Sequence, residues 1–400
     1  LTVNRETLIQ RNQRIADAFH SVPFKHYLRR LLLRGVAALP VSSSRASKRE
    51  RLLLIRPDHL GDVLLTTPAI HALRRARPLA EIHALVGPWS AVALANNENL
   101  DAVVTLAFPG FNRSGNENLR SPYRLALHAA NQIRQIGYSS AVIMRPDHWW
   151  GALVAFLAGI PQRIGYAHHD VKPFLTQTFV QQHPHAVMQN ADLITPWAGE
   201  ITPEKLHYTF SYTDENAAYV RSYLDVWGVL PEHRVFCIHP GAGTWVKRWD
   251  AARWGNVADI LIDQLDATAV ITGTDSEVPL AREVAAHMTN RSIVMAGDTQ
   301  VGQLAALFDR SQVVLGPDSG PMHLAAAVDT PTVTLFGPAD PAEFAPWGDR
   351  HKHAVLTSNI NCRPCRVLDW GTDDPKNHPC VRDISIGAVL QAARNVTAEF

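Results

Sequence analysis

From residue 51 onward the chain alternates short, β-branched apolar runs with longer amphipathic stretches, and no other feature limits its fold so tightly. RLLLIR (51–56), EIHALV (81–86), DAVVTL (101–106) and SAVIMR (140–145) predict strands in the first half, with a helix over SPYRLALHAANQIRQIG (121–137). VFCIHP (235–240), ATAVITG (267–273), RSIVMAG (291–297), QVVLGP (312–317) and TPTVTLFG (330–337) repeat the pattern in the second half. Strand–helix alternation implies βαβ units and parallel sheets, and these strands are too many for one sheet. Four hundred residues also exceed one ordinary core. The chain therefore reads as α/β, with two Rossmann-like domains whose parallel sheets face a central cleft. The expected divisions are a basic N-terminal arm (1–50), a first domain (51–210), a polar linker (211–232), a second domain (233–383) and a C-terminal helix (384–400).

Charge is unevenly placed. The net charge is +1, so no global field recruits nucleic acid. Residues 1–51 hold 11 Lys and Arg against 3 Asp and Glu, whereas the other 349 residues hold 27 against 34. Within the arm, KHYLRRLLLRGVAAL (25–39) mixes basic and apolar residues at helical spacing. Two readings stay open: a helix docked on the body with solvated charges, or a surface helix drawn to anionic lipid. The polar N-terminus shows no signal-peptide pattern, and the longest apolar run, WWGALVAFLAGI (149–160), is too short to span a bilayer. With only four cysteines, a reducing cytoplasm is expected, with peripheral contact on the inner membrane face under the second reading.

In open parallel sheets, ligands bind beyond the carboxyl ends of the strands, so the residues just after each strand carry the functional expectation. After VFCIHP comes GAGTWVKRWD, where Gly241 and Gly243 allow backbone amides to approach a phosphate and Lys247 and Arg248 add positive charge. An ordinary tight turn is the competing reading. After QVVLGP come Asp318, Ser319 and Gly320, suited to a helix start, with His323 one turn further on. These two mouths together suggest a diphosphate site. Glu277, after ATAVITG, could complement a helix dipole or accept hydrogen bonds from a ribose. RPDHLGDVLLTTP (56–68) holds two carboxylates, Asp58 and Asp62, before a Thr67–Pro68 step that kinks or restarts a helix. Asp62 could cap a helix, or act as a base towards a hydroxyl attacking an activated sugar.

NCRPCRVLDWGTDDPKNHPC gathers Cys362, Cys365, His378 and Cys380 in one polar segment. The set could hold zinc or iron, or remain free thiols, and no metal or other cofactor is expected. Cys237 reads as core.

IRPDHLGDVLLTTPAI, HPGAGTWVKRW and GPDSGPMHLAAAVDTPTVTLFGP, in this order and over about residues 51–390, resemble the lipopolysaccharide heptosyltransferases, family-nine glycosyltransferases of the GT-B fold. That resemblance implies an inverting, metal-independent transfer from a nucleotide-sugar, commonly ADP-heptose, to a sugar of a lipid-linked acceptor. It places the general base on Asp62 and gives Asp58 no counterpart. It also places a donor-binding lysine on Lys247, a D-[ST]-G-x-x-H motif on Asp318, Ser319, Gly320 and His323, a ribose-binding glutamate on Glu277, and a phosphate-binding hydroxyl on Thr244. Acceptor specificity is expected in the first domain, including FPGFNRSGNENLRSPYR (108–124) and the basic segment around Arg145 and Arg163. A nucleotide-sugar epimerase of the same architecture and a non-catalytic nucleotide-sugar binder are the alternatives.

Overall fold

The computed structural model describes residues 4–19, 24–44, 47–111 and 121–397. They divide into two compact units, an N-terminal unit of residues 22–209 and a C-terminal unit of residues 210–400 joined by residues 1–21.

Six strands build the N-terminal unit: β1 (Arg51–Arg56), β2 (Glu81–Val86), β3 (Ala102–Thr105), β4 (Ser140–Ile143), β5 (Gln162–Tyr166) and β6 (Gln177–Phe179). All pair in parallel, in the order β3-β2-β1-β4-β5-β6. Helices cover both faces, so the central strands are apolar along their whole length: Leu52 to Ile55 of β1 and the whole of β4 are buried. Leu53, Ile55, Leu85, Ile143, Trp150 and Phe174 form part of one core. The apolar run at 149–160 is a helix, Trp149–Leu157, buried in that core.

In the C-terminal unit β7 (Arg234–Ile238), β8 (Ala267–Ile271), β9 (Ile293–Val294), β10 (Val314–Pro317), β11 (Thr332–Phe336) and β12 (His353–Thr357) repeat the arrangement, parallel and in the order β12-β11-β10-β7-β8-β9. Read from either sheet's first strand, this is the doubly wound 3-2-1-4-5-6 order. The chain reverses direction across the sheet between β1 and β4 in one unit, and between β7 and β10 in the other. The carboxyl ends of those four strands are where such sheets hold ligands.

Strands β5, β6 and β12 carry no strong sequence signal. β6 and β12 are sheet edges with little full burial, and β5 is interrupted by Gly165, which packs against Leu175. The polar stretch 211–232 contains a helix, Asp214–Val226, capped by Thr213 with Asn216. It is tied to the C-terminal unit by Tyr219 and Tyr223, whose hydroxyls donate to Asp298 at 2.6 and 2.7 Å. The helix Ile386–Thr397 buries Val389, Leu390, Ala393 and Val396 in the C-terminal core.

The basic N-terminal segment is shared between the units. Helix Arg5–Phe19 packs on the C-terminal unit, with Arg5 against Asp383 at 2.5 Å, Arg11 against Asp373 at 2.7 Å, and Asn12 donating to the Asn377 carbonyl at 2.8 Å. Helix Phe24–Ala37 packs on the N-terminal unit through Leu33, which is only 1% exposed.

Candidate functional site

At the end of β1 the apolar run stops at Arg56, which is itself buried and anchored by donation to the Met144 carbonyl at 2.8 Å. Its guanidinium contacts both aspartates of the opening motif: Nε lies 2.6 Å from Asp58 Oδ2 and Nη2 lies 3.6 Å from Asp62 Oδ1. The two carboxylates then diverge. Asp58 is 3% exposed and also pairs with Arg145, just beyond β4. Burial alone would raise its pKa, but Arg56 and Arg145 outweigh that and hold it below the usual carboxylate range. Asp58 is thus a structural anion that ties the ends of β1 and β4 together at the switch point. Asp62 keeps 34% of its side chain exposed. It does not cap a helix, because His59 occupies that position and Asp62 lies in the first turn of the short helix Leu60–Leu64. The chain then restarts as helix Thr67–Ala76, with Pro68 in its first turn.

Arg145 and Arg163 are not a solvated basic surface. Arg145 is held by Asp58 and by Asp147, 2.6 Å away, while Arg163 donates to the Phe174 carbonyl at 2.6 Å and to that of Ile160. Arg163 is spent on local structure, and only Arg145 stands at a strand mouth. Residues 112–120 of the expected acceptor loop lie outside the described residues. Next to Arg145, His148 is buried among Phe108, Phe111 and Trp150, and neither ring nitrogen has a hydrogen-bond partner. Burial pushes its pKa down to about 3, so the ring is neutral.

The second mouth lies at the ends of β7 and β10. Lys247 Nζ donates to Asp318 Oδ2 at 2.5 Å, and both side chains are largely buried. Thr244 precedes the turn Trp245–Lys247, and Ser319 occupies the cap position of helix Gly320–Ala327, yet neither hydroxyl caps its helix. Both Thr244 Oγ1 and Ser319 Oγ are buried with no hydrogen-bond partner. Buried hydroxyls are ordinarily satisfied, and these two flank the Lys247–Asp318 ion pair in sequence. His323 is buried within the helix, and Gly243 is exposed.

Glu277 is both a cap and a wall of this mouth. Its Oε2 accepts from the Thr274 amide and hydroxyl, each at 2.9 Å, closing a capping box. Its carboxylate also lies against Gly241, where a Cβ would meet Oε1 at 2.1 Å. A side chain at Gly241 would therefore have to push the Glu277 carboxylate aside. Behind them His239 bonds Thr272 Oγ1 through Nδ1 at 3.0 Å, and its Nε2 stands 3.9 Å from Glu277. Burial holds His239 neutral, with a pKa of about 4. Sequence reading passed over Arg56 and His239, although each is a polar residue ending an apolar strand run, and that position was the available signal.

The cysteine segment forms a narrow cavity lined by Cys362, Cys365, Cys380 and Trp370. Burial raises all three thiol pKa values, that of Cys380 to about 12, which favours the protonated form. His378 sits between Trp245 and Trp370 with Nε2 on Asp373 at 2.9 Å. Among the described residues, the set whose ligand atoms gather within 4.8 Å is His168, His169 and Asp170, and the cysteine segment does not meet that spacing. In that set Asp170 is already bound by Arg29 and Arg30, each at 2.9 Å, which opposes a cation there. Cys237 is buried in β7.

Two doubly wound parallel sheets of this strand order make the GT-B architecture of nucleotide-sugar glycosyltransferases. Solved structures share it: a glycosyl transferase family 9 protein from Veillonella parvula has a TM-score of 0.72 at 23% identity, spanning 89% of this chain and 100% of that one. Escherichia coli ADP-heptose lps heptosyltransferase II has a TM-score of 0.67 at 21% identity, spanning 87% and 99%. In sequence, lipopolysaccharide heptosyltransferase 3 of Escherichia coli K12 is 30% identical over 298 residues, which are 72% of this chain and 82% of the relative. The family model for glycosyltransferase family 9 (heptosyltransferase) matches residues 127–369, and the chain belongs to that family.

Proposed function

We propose that this chain transfers heptose from ADP-heptose to a sugar of a lipopolysaccharide core, with inversion at the anomeric carbon and Asp62 as general base. The observation that carries the donor half is the pair of partnerless buried hydroxyls, Thr244 and Ser319, beside the Lys247–Asp318 ion pair. A diphosphate satisfies both hydroxyls and draws Lys247 away from Asp318, which is then released to accept hydrogen bonds from the donor sugar. The amides of Ser319 and Gly320 open helix Gly320–Ala327 and meet the phosphate oxygens, and His323 lies one turn behind them. Glu277 accepts from the ribose, with Gly241 and Gly243 letting the backbone close in.

The transfer is a single displacement. The acceptor oxygen attacks the anomeric carbon as the bond from that carbon to the phosphate oxygen breaks, and Asp62 takes the acceptor proton. The charge that builds on departing ADP is stabilised by Lys247, the two amides and the two hydroxyls. The step as written uses no divalent ion or other cofactor. Membership of the heptosyltransferase family favours transfer over epimerisation, which needs no acceptor.

Thermal melting with ADP, UDP, GDP and CDP, on the parent and on Lys247→Ala, tests the donor site. A ligand at 100 times its dissociation constant adds ~2.7 kcal/mol, a shift of several degrees. A shift with ADP alone that is lost in Lys247→Ala supports the reading. No shift with any nucleotide, or an undiminished one in Lys247→Ala, refutes it.

A further inference from the structure

The helix Phe24–Ala37 packs on its unit through Leu33 yet leaves most of its large apolar side chains in the open. Two of its three arginines face the protein: Arg29 and Arg30 both bind Asp170, and Arg29 stacks over Trp149 at 5.1 Å. Three of its four leucines face outward, and only Leu33 is buried. Tyr27 is 52% exposed, Leu28 64%, Leu31 65% and Leu32 55%, and Leu39 just beyond the helix is 60% exposed. An amphipathic helix that only packs on its own domain buries such residues and solvates the arginines. Here a buried carboxylate, Asp170, holds the guanidiniums inward, and a contiguous apolar stripe is left in the open.

The charge around the stripe selects its occupant. Residues 18–49 carry seven Lys and Arg and no acidic residue. Arg34 is exposed on the helix, and so is Lys172 on the turn Lys172–Phe174 that packs against it. A second copy would set the same basic segment against itself, whereas an anionic bilayer offers apolar depth beneath a negative surface. The helix has 14 residues, and among the described residues no helix is long and apolar enough to cross a membrane, so it lies on a surface and does not span one. We propose that the outward face of helix Phe24–Ala37 docks the protein on an anionic lipid bilayer, with Leu28, Leu31 and Leu32 entering the headgroup–acyl boundary and Arg34 and Lys172 meeting lipid phosphates. Of the two readings open from the sequence, this selects the lipid-facing one. It rests on the exposed apolar face and the basic charge around it, and stands whether or not the donor is ADP-heptose.

The test is co-sedimentation of the full chain with phosphatidylglycerol–phosphatidylethanolamine vesicles and with pure phosphatidylcholine vesicles. The expected result is binding to the anionic vesicles that weakens with salt, and little binding to phosphatidylcholine. Leu28→Ser with Leu31→Ser should lower the partition by about tenfold or more at an unchanged melting temperature, and Arg34→Glu should lower it on anionic vesicles only. The control Leu127→Ser removes another exposed leucine, from helix Ser121–Ile136, and should leave binding intact. A parent chain that stays in the supernatant, or a double variant that binds as well as the parent, overturns the proposal. So does sedimentation velocity showing a parent dimer that the double variant splits into monomers, because the face would then be a self-association surface.

Discussion

Replacing Asp58 and Asp62 separately by asparagine should separate stability from chemistry within five residues of sequence. Asp58 is 3% exposed, and its carboxylate is in ionic contact with Arg56, whose side chain is 8% exposed, and with Arg145, 35% exposed. Asp58→Asn leaves Arg56 as a buried cation with the Met144 carbonyl at 2.8 Å, Asn190 Oδ1 at 3.5 Å and, as its remaining carboxylate, Asp62 at 3.6 Å. Removing one partner of a buried pair costs 3–5 kcal/mol. Arg145 keeps Asp147 and is partly solvated, so its contribution is discounted, and asparagine preserves volume. The lower end, about 3 kcal/mol, is expected, or about 6–12 °C in melting temperature for a unit of this size. Asp62→Asn removes a carboxylate that is a third exposed, and should move the melting temperature by little while abolishing transfer in a single-turnover assay. Thermal melts and turnover on both variants decide the matter. An Asp58→Asn protein that melts with the parent refutes the ion-pair argument, and an Asp62→Asn protein with full turnover removes Asp62 from the mechanism.

Other outcomes follow from the same contacts. Ser319→Ala deletes a buried hydroxyl with no partner, so it should leave the ligand-free protein as stable or more so, and weaken ADP binding about fivefold by calorimetry. Gly241→Ala drives a Cβ to 2.1 Å from Glu277 Oε1 and should cost about 1–3 kcal/mol, most of it recovered in the double variant with Glu277→Ala, as a urea double-mutant cycle would show. His148 and His239 stay neutral in the fold, with pKa values of about 3 and about 4. Above the unfolded histidine pKa of about 6.5 they have no effect on stability. As pH falls from there towards the folded values, the unfolded chain takes up protons that the fold refuses, and each histidine removes up to ~1.4 kcal/mol per pH unit. Urea midpoints at about pH 7.5 and about pH 5 should differ accordingly, and His148→Phe should shrink the difference.

Much of the framework is local and was readable in advance. Central parallel strands are buried on both faces, so RLLLIR and VFCIHP had to be continuous apolar runs, and the rule for strand ends pointed to Asp62, Lys247 and Asp318, which the fold sets beyond β1, β7 and β10. Edge strands β6 and β12 lack that constraint and left no such mark. The polar stretch around Asp214–Val226 resembled a linker because its helix buries only Val220 and Leu224. The roles of individual side chains depended on distant partners. That Asp58 is a buried strut needed Arg145, 87 positions away; that Glu277 is pressed against Gly241, and that Thr244 and Ser319 find no partner, needed the folded loops. The direction of helix Phe24–Ala37 was the most hidden of these. Its composition suits either orientation, and a single buried aspartate, Asp170, pulls Arg29 and Arg30 in while Leu28, Leu31 and Leu32 are left out. Sequence period determines where strands and helices form, because hydrogen-bond geometry and burial are local to each element. Which charge meets which is decided only when the chain closes on itself, because a buried ion must be paired by whatever partner the tertiary fold supplies.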